Sequence, residues 1–534
     1  MWLAMLWCLA CTGDDDPVPS DRSSAEETGH TGGAATPDSE DTGVPGDPVV
    51  FLVEPVLSVN DHGAGLTAWL DLTTDRPVTL ALEVTGPDAT RTWTVETEAD
   101  VHHALLTGFR PDADHDVVVT AVAADGTTAS ATETWHSEPL PETTPAFDVV
   151  GGPGPMEPGV TLFKLAFHLY MVDADGIVVW FAPAPALTHE VELTERGTLR
   201  YHAGTSLVEE VALSGEVLST WATDEGVPGS VVVAPDILHH DVAELPDGNL
   251  LALGVEVRTF PDYPASETDP RPTQPEAEVI GDVVYELAPD GTVVHAWPLL
   301  DRLDPYRIGY DSLTGAYWAG TFGSGARDWS HANAIAYDPV RDEVVVSLRH
   351  QDTVVALSRT TGDVAWLFAP DTHWGAPLQP LVLQPEGPTD LPAFHQHSAS
   401  ITPDGHLLMF DNGNGRASAW ERELPSAQRW SRCLEAAIDP DAGTWTTVWS
   451  WGEQLTGGEA HYAGKVGDCD LLPETGNHLI TFGSLDNPAL PAVKLVEVDA
   501  AGGVVWELGV EAAGPDQVPS MFRSERVDGV IPGR

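Results

Sequence analysis

The amino-acid sequence predicts an all-β chain whose larger part is a six-bladed β-propeller. Three observations carry that reading. A hairpin signature recurs from about residue 155 onward, a second hairpin type lies between its copies, and no long stretch has the 3.6-residue period of an amphipathic helix. The signature runs apolar-x-apolar, an Asp-type turn with Gly, Val-Val and Trp. It stands at residues 170–180, 208–221, 284–297, 354–366, 434–449 and 495–506. Each copy is two strands of period two about a turn. The second type is clearest at residues 240–251, which residues 397–408 match position for position, with Asp468-Cys469-Asp470-Leu471-Leu472-Pro473 as a variant. Two alternating hairpins make a four-stranded sheet, and six such sheets set radially make a propeller over residues 155–534. The last copy, ending at Trp506, favours a closed ring over an open solenoid. A strand within residues 162–169 is expected to close that ring against the last blade.

Four segments precede the repeats. Residues 1–11 form a short apolar run ending Leu9-Ala10-Cys11, which resembles a bacterial lipoprotein signal and implies lipidation of Cys11. The protein is then expected outside the cytoplasm, tethered at the periplasmic face of the outer membrane or at the cell surface. Residues 12–48 carry Asp, Glu, Ser, Thr, Gly and Pro with almost no apolar content, the composition of a disordered acidic linker. Residues 49–137 alternate short β-prone runs with turns, as in a small antiparallel sandwich. Within them, Leu106-Thr107-Gly108-Phe109-Arg110-Pro111 leading to His115 resembles the fibronectin type III motif before its penultimate strand, with His115 where that family usually has Tyr. Paired His102 and His103 read as polar strand or loop residues. Residues 138–154 read as a linker.

Composition excludes two classes of function. Lys and Arg total 24 against 83 Asp and Glu, a net charge of −59 that repels phosphate backbones and argues against a nucleic-acid partner. No apolar run approaches the roughly 20 residues of a spanning helix, so a polytopic membrane protein is excluded. The same charge requires any anionic substrate to find a locally positive pocket. Cys433 and Cys469 open neighbouring repeat segments and are candidates for a disulfide in an oxidising compartment.

The innermost strands of a propeller line its axis, so residues at one repeat position converge there. His240 and His397 share that position, and His331 stands at its counterpart before the turn at Asp338-Pro339. Arg349 ends the following strand and reaches the same end. Packing alone does not favour imidazole at a repeated inner position, where Ala, Val or Leu fills space better. His239, His350 and His395 read as flanking, turned away by strand alternation. Trp329, Tyr306 and Phe394 are candidates to grip an aromatic ligand, and core packing accounts for them equally well.

These residues are similar to those of the bacterial aryl-sulfate sulfotransferases, which use aryl sulfates and no nucleotide donor. The likeness rests on residues 170–180, His239-His240-Asp241, Asp328-Trp329-Ser330-His331-Ala332-Asn333, Arg349, Gln396-His397-Ser398-Ala399, Ser431-Arg432 with Glu435, and Met521-Phe522-Arg523-Ser524-Glu525-Arg526. It implies transfer of a sulfuryl group from a phenolic sulfate ester to an acceptor phenol, with no metal and no cofactor. His397 is then the nucleophile, while His240, His331, Asn333 and Arg349 hold the sulfuryl oxygens. Two other readings stay open from the residues alone. One is a metal-dependent propeller enzyme with His240, His331 and His397 as ligands, against which Arg349 argues by repulsion. The other is a surface module that binds ligands without catalysis.

Overall fold

The computed structural model describes residues 47–185, 188–388, 390–455, 461–512 and 518–528. The lipoprotein-type signal with Cys11, and all but the last two residues of the acidic linker, lie outside the described residues. The described chain is all-β, its helical content one short helix, Ala319–Phe322, and a few 3-10 turns. No helix among the described residues is long and apolar enough to cross a membrane.

The first five strands form a small domain. Ala68–Thr85 breaks register between Thr73 and Val78, where Pro77 has no N–H to give the ladder. Its first half pairs with Phe51–Val59 and the end of Thr90–Leu106. Its second half pairs with the start of Thr90–Leu106 and with Asp114–Ala123, which carries Thr128–His136 at its edge. His115 is buried, and its Nε2 accepts the Arg110 N–H at 3.0 Å, fixing the corner before its strand. His102 is buried against the Val78 and Ala99 carbonyls, whereas His103 lies on the surface, 2.7 Å from Asp71.

Six sheets follow, each built on an antiparallel meander of four strands. Their first strands are Ser524–Val527, Val191–Leu193, Val242–Glu244, Ala332–Asp338, His397–Ile401 and Asp468–Leu471. Residues on or beside all six line one cavity of about 200 Å³, so the sheets surround a common axis. The ring closes twice. Ser524–Val527 pairs with Val160–Leu165 in the first sheet, so the expected strand is met by the last described strand. Asp148–Gly151 pairs with Val504–Val510 at the outer edge of the sixth. Residues 148–151 therefore form a strand where the sequence suggested only linker.

The repeat residues have visible duties. Gly176, Gly215, Gly291, Gly362, Gly443 and Gly502 close the last hairpin of each sheet with φ between 69° and 89°, a region in which a Cβ is strained. The recurrent Trp fills the seam to the next sheet. Trp180 and Trp506 donate their indole N–H to the carbonyls of Leu213 and Ala174 in the neighbouring sheet, and Trp451, two residues past the repeat Trp449, does the same to Gly502, satisfying a polar group that burial would otherwise strand. The small domain is pinned to the ring by Arg110 on Asp173 at 2.7 Å and by the Asn60 amide on the Ser214 carbonyl at 2.8 Å. Gly65 donates its N–H to the Phe181 carbonyl at 2.7 Å, and a Cβ there would overlap the Phe181 ring.

Cys433, in the fifth sheet, is bonded to Cys469, in the sixth, across 36 residues of chain. Closing a loop of that length restricts the unfolded chain enough to stabilise the fold by about 3–4 kcal/mol. Replacing both cysteines with alanine is expected to lower the denaturation midpoint in urea by a corresponding amount, and reduction of the wild type should reproduce the shift.

Candidate functional site

A second cavity, of about 430 Å³, lies at the end of the axis from which the first strands set out. Each sheet contributes to its wall at the entry to its first strand: Phe522, His189, His240, His331, His397 and Val466 in sheet order. Their backbones are bent sharply to do so. His240 and His331 have φ of 57° and 50°, as does Val466 at 52°. His397 instead begins its strand in extended conformation, and the left-handed residues there are His395 and Ser398, at 54° and 53°. Such conformations cost on the order of 1–3 kcal/mol each for non-glycine residues and persist where the surroundings over-determine them. Three of the predicted site residues thus meet in one cavity, and Arg349 joins them from a 3-10 turn, Arg349–Gln351.

Each imidazole has a different partner behind it. His397 Nδ1 lies 2.7 Å from Asn412 Oδ1. The Asn412 amide N–H groups are spent on the Ala463 and Val466 carbonyls at 2.7 and 2.8 Å, so its oxygen must face the ring and His397 Nδ1 must carry the proton. That leaves Nε2 as a lone pair. His331 Nδ1 donates to Asp328 Oδ2 at 2.7 Å, a carboxylate in place of an amide. His240 Nδ1 lies 2.7 Å from His239 Nδ1. His239 Nε2 faces only acceptors, Asp282 Oδ1 at 3.1 Å and the Gly254 carbonyl at 3.4 Å, and so carries a proton. A neutral His239 then accepts from His240 Nδ1–H, and His240 Nε2 is unprotonated. Asp282 is itself fixed by Ser330 Oγ–H and the Ala332 N–H.

Positive charge at the site does not come from His240 or His397. Burial, reinforced by neighbouring imidazoles, holds the pKa of His240 well below the usual histidine value. Burial and then Arg349 do the same for His397. Both rings are neutral at pH 7, so they do not supply positive charge. Permanent charge comes from Arg349, 3.3 Å from Asp311, and from Lys465 on the cavity wall. Asp328 is held down to about 2: burial opposes its charge, and His331, His350 and Arg349 outweigh it.

Four expectations need correction. Asn333 is fully buried outside the cavity wall; its amide donates to the Gln396 carbonyl at 2.8 Å. It braces the strand beneath His397. His350, read as flanking, lines the cavity and stacks on His331 with centroids 4.5 Å apart, because residues 349–351 form a turn to which strand alternation does not apply. Trp329, Tyr306 and Phe394 lie elsewhere: Trp329 is core, and Tyr306 packs on Phe260 and Tyr263. The aromatic walls are Phe522, 5.9 Å from His240 and 6.0 Å from His397, and Tyr317, 4.9 Å from His240. Finally, the group able to converge on an ion among the described residues is Asp328, His331 and His350, not His240, His331 and His397. Its two Nδ1 atoms lie 2.7 and 3.8 Å from Asp328 Oδ2, and Arg349 adjoins them in the chain.

Sequence reasoning missed His189, Tyr317, Phe522, Lys465 and Asn412. His189 and Phe522 stand two residues before their sheets' first strands, as His240 does, so repeat register held the signal. Tyr317 sits in an insertion with no repeat counterpart.

Beneath the site, His395 lies 2.9 Å from Asp352 and 3.5 Å from Asp311. Burial opposes its charge, but the Asp352 and Asp311 carboxylates win and its pKa is raised. Its stabilising effect is therefore complete below the unfolded value, about 6.5, and is lost as pH rises through the higher folded value. The unfolding-midpoint gap between wild type and His395→Gln should be widest near pH 6 and narrow toward pH 9.

Among solved structures, the chain overlaps a protein of unknown function from Bacteroides caccae, with TM-score 0.33 and 14% identity over 72% of this chain and 96% of that one. It overlaps an auxiliary nutrient binding protein from Bacteroides ovatus with TM-score 0.32 and 10% identity over 90% of each. Overlaps of this strength carry no argument. Two curated proteins named arylsulfate sulfotransferase AssT are 27% identical to it. The Escherichia coli O6:H1 protein matches over 356 residues and the Lelliottia amnigena protein over 348, in each case 55% of this chain and 54% of the relative. The chain thus spans about half the length of the curated relatives it matches. The arylsulfotransferase (ASST) family model matches residues 156–519, well over half of the chain, and the chain belongs to that family.

Proposed function

We propose that this protein is an aryl-sulfate sulfotransferase that moves a sulfuryl group from a phenolic sulfate ester to an acceptor phenol in two displacements, through a sulfurylated His397 and without a nucleotide donor. The observation that carries the reading is the bond between His397 and Asn412. A neutral amide fixes the tautomer without drawing a proton onto the ring, so Nε2 is a free nucleophile at neutral pH.

In the first step, the Nε2 lone pair forms a bond to sulfur while the sulfur–oxygen bond to the aryl group breaks and its electron pair leaves on the phenolate. Sulfuryl transfer resembles phosphoryl transfer: charge stays on the non-bridging oxygens and grows on the leaving oxygen, and fixed cationic donors stabilise both. Arg349 supplies the permanent charge for the non-bridging oxygens. His331 is the acid that protonates the phenolate, its ring oriented by the Asp328 carboxylate behind Nδ1. In the second step an acceptor phenol returns its proton to His331 and takes the sulfuryl group from His397. His240 can donate to a sulfuryl oxygen only once Nε2 is protonated, and an anion in the cavity favours that uptake. Phe522 and Tyr317 flank the aryl ring.

The wider architecture fits the same reading. The six sheets are taken as the blades of a six-bladed propeller, and residues 49–137 as a fibronectin type III-like sandwich in which His115 performs the corner bond usually made by Tyr. A lipid on Cys11 and the acidic linker would tether the enzyme outside the cytoplasm.

Incubation with 4-nitrophenyl sulfate and phenol should release 4-nitrophenol and form phenyl sulfate, and His397→Ala should lower that rate by at least about 10³-fold. Donor alone should give a burst and a sulfurylated histidine; retained activity in the alanine variant would remove His397 as nucleophile. Because the pKa of His397 is lowered, the burst rate should hold steady as pH falls through 6.5. Asn412→Asp places a carboxylate behind the ring, raises that pKa and should move the acid limb of the burst-rate profile to higher pH.

A further inference from the structure

We propose that Lys465 is the capture residue for the anionic donor, a cation that draws an aryl sulfate to the mouth of the cavity before Arg349 receives it. The inference rests on the sulfotransferase reading and adds to it how a protein of net charge −59 admits an anion.

The sequence has three lysines. Lys494 is spent on Glu507 at 3.0 Å, and Lys164 is largely buried in the first sheet. Lys465 is exposed on the wall of the site cavity and forms no hydrogen bond or ion pair with the described residues. The loop that carries it is built to hold it there. Asn412 donates to the carbonyls of Ala463 and Val466, and Asn414 and Arg349 both donate to that of Gly464, at 2.9 and 3.3 Å. Val466 and Gly467 take φ of 52° and 125°, turning the chain sharply just after the lysine. A loop braced by four side-chain bonds in strained conformation fixes the base of a side chain whose head is left in solvent.

Charge makes this placement useful. The imidazoles of the site are neutral, Arg349 is partly neutralised by Asp311, and the surrounding surface is acidic. An ammonium without a partner among the described residues, on the cavity wall, is where the potential turns favourable for an approaching sulfate, and such a charge acts on encounter more than on the chemical step.

Steady-state kinetics with 4-nitrophenyl sulfate, at low ionic strength and at 1 M salt, test it. Lys465→Gln should lower kcat/KM by about 3–10-fold at low salt and Lys465→Glu by more, with the loss in KM rather than kcat. At 1 M salt, where screening acts over about 3 Å, the variants should converge on wild type. The uncharged acceptor phenol should show no such salt-dependent difference. Equal salt dependence in wild type and Lys465→Glu would overturn the proposal, as would a loss of kcat that survives 1 M salt. Direct binding of 4-nitrobenzenesulfonate, an anion with no transferable group, decides the point without turnover: equal affinities of wild type and Lys465→Glu at low salt defeat the capture role. Absence of 4-nitrophenol release by wild type would defeat the sulfotransferase reading instead.

Discussion

The pairing of Ser524–Val527 with Val160–Leu165 is the constraint on which the site depends. It joins the last described strand to the first sheet across more than 350 residues, and both Phe522 and Arg523 reach the axis only because that strand is in place. Arg523 then binds Asp241 at 2.9 Å and Glu190 at 2.5 Å, tying the entries of the second and third sheets to the first. Asp241 in turn accepts the Ile335 N–H of the fourth. Ring closure by a distant strand is slow to find, since its loop entropy is lost before any contact rewards it. Once found, it fixes the imidazoles from four different sheets together with strain that no single hairpin could sustain.

What distinguishes the buried histidines is the group behind each one. An amide, a carboxylate and another imidazole stand behind three rings that share one cavity. The carboxylate makes His331 suited to carrying charge; the amide keeps His397 from doing so. Environments that push similar side chains apart are how one pocket divides the roles of acid, base and nucleophile.

Much of this was legible in the residues. Period-two hairpins with Asp-Gly turns and a closing Trp gave the sheets and their number, since turn chemistry and strand alternation are local and repeat six times. Repeat register also brought His240, His331 and His397 to one place. It did not show that His397 enters its strand differently, with a register break between His397 and Ser400, because a bulge leaves no mark on hydrophobic spacing. His350 was misplaced for a related reason: facing follows alternation only while the strand lasts, and residues 349–351 leave it. Asn412 had no signal at all, since its role depends on two carbonyls more than 50 residues away.

The two cavities along the axis also bear on traffic. Beyond Arg523 the channel is walled by Glu190, Glu192, Asp241, Asp468, Asp470 and Glu525. On the proposed route, a sulfate ester at His397 therefore meets a guanidinium already engaged by Glu190 and Asp241, and beyond it carboxyls that burial pushes toward their neutral form. On the proposed route both phenols occupy the one cavity that holds His397 and His331, so turn-taking between them follows from the room available as well as from the chemistry.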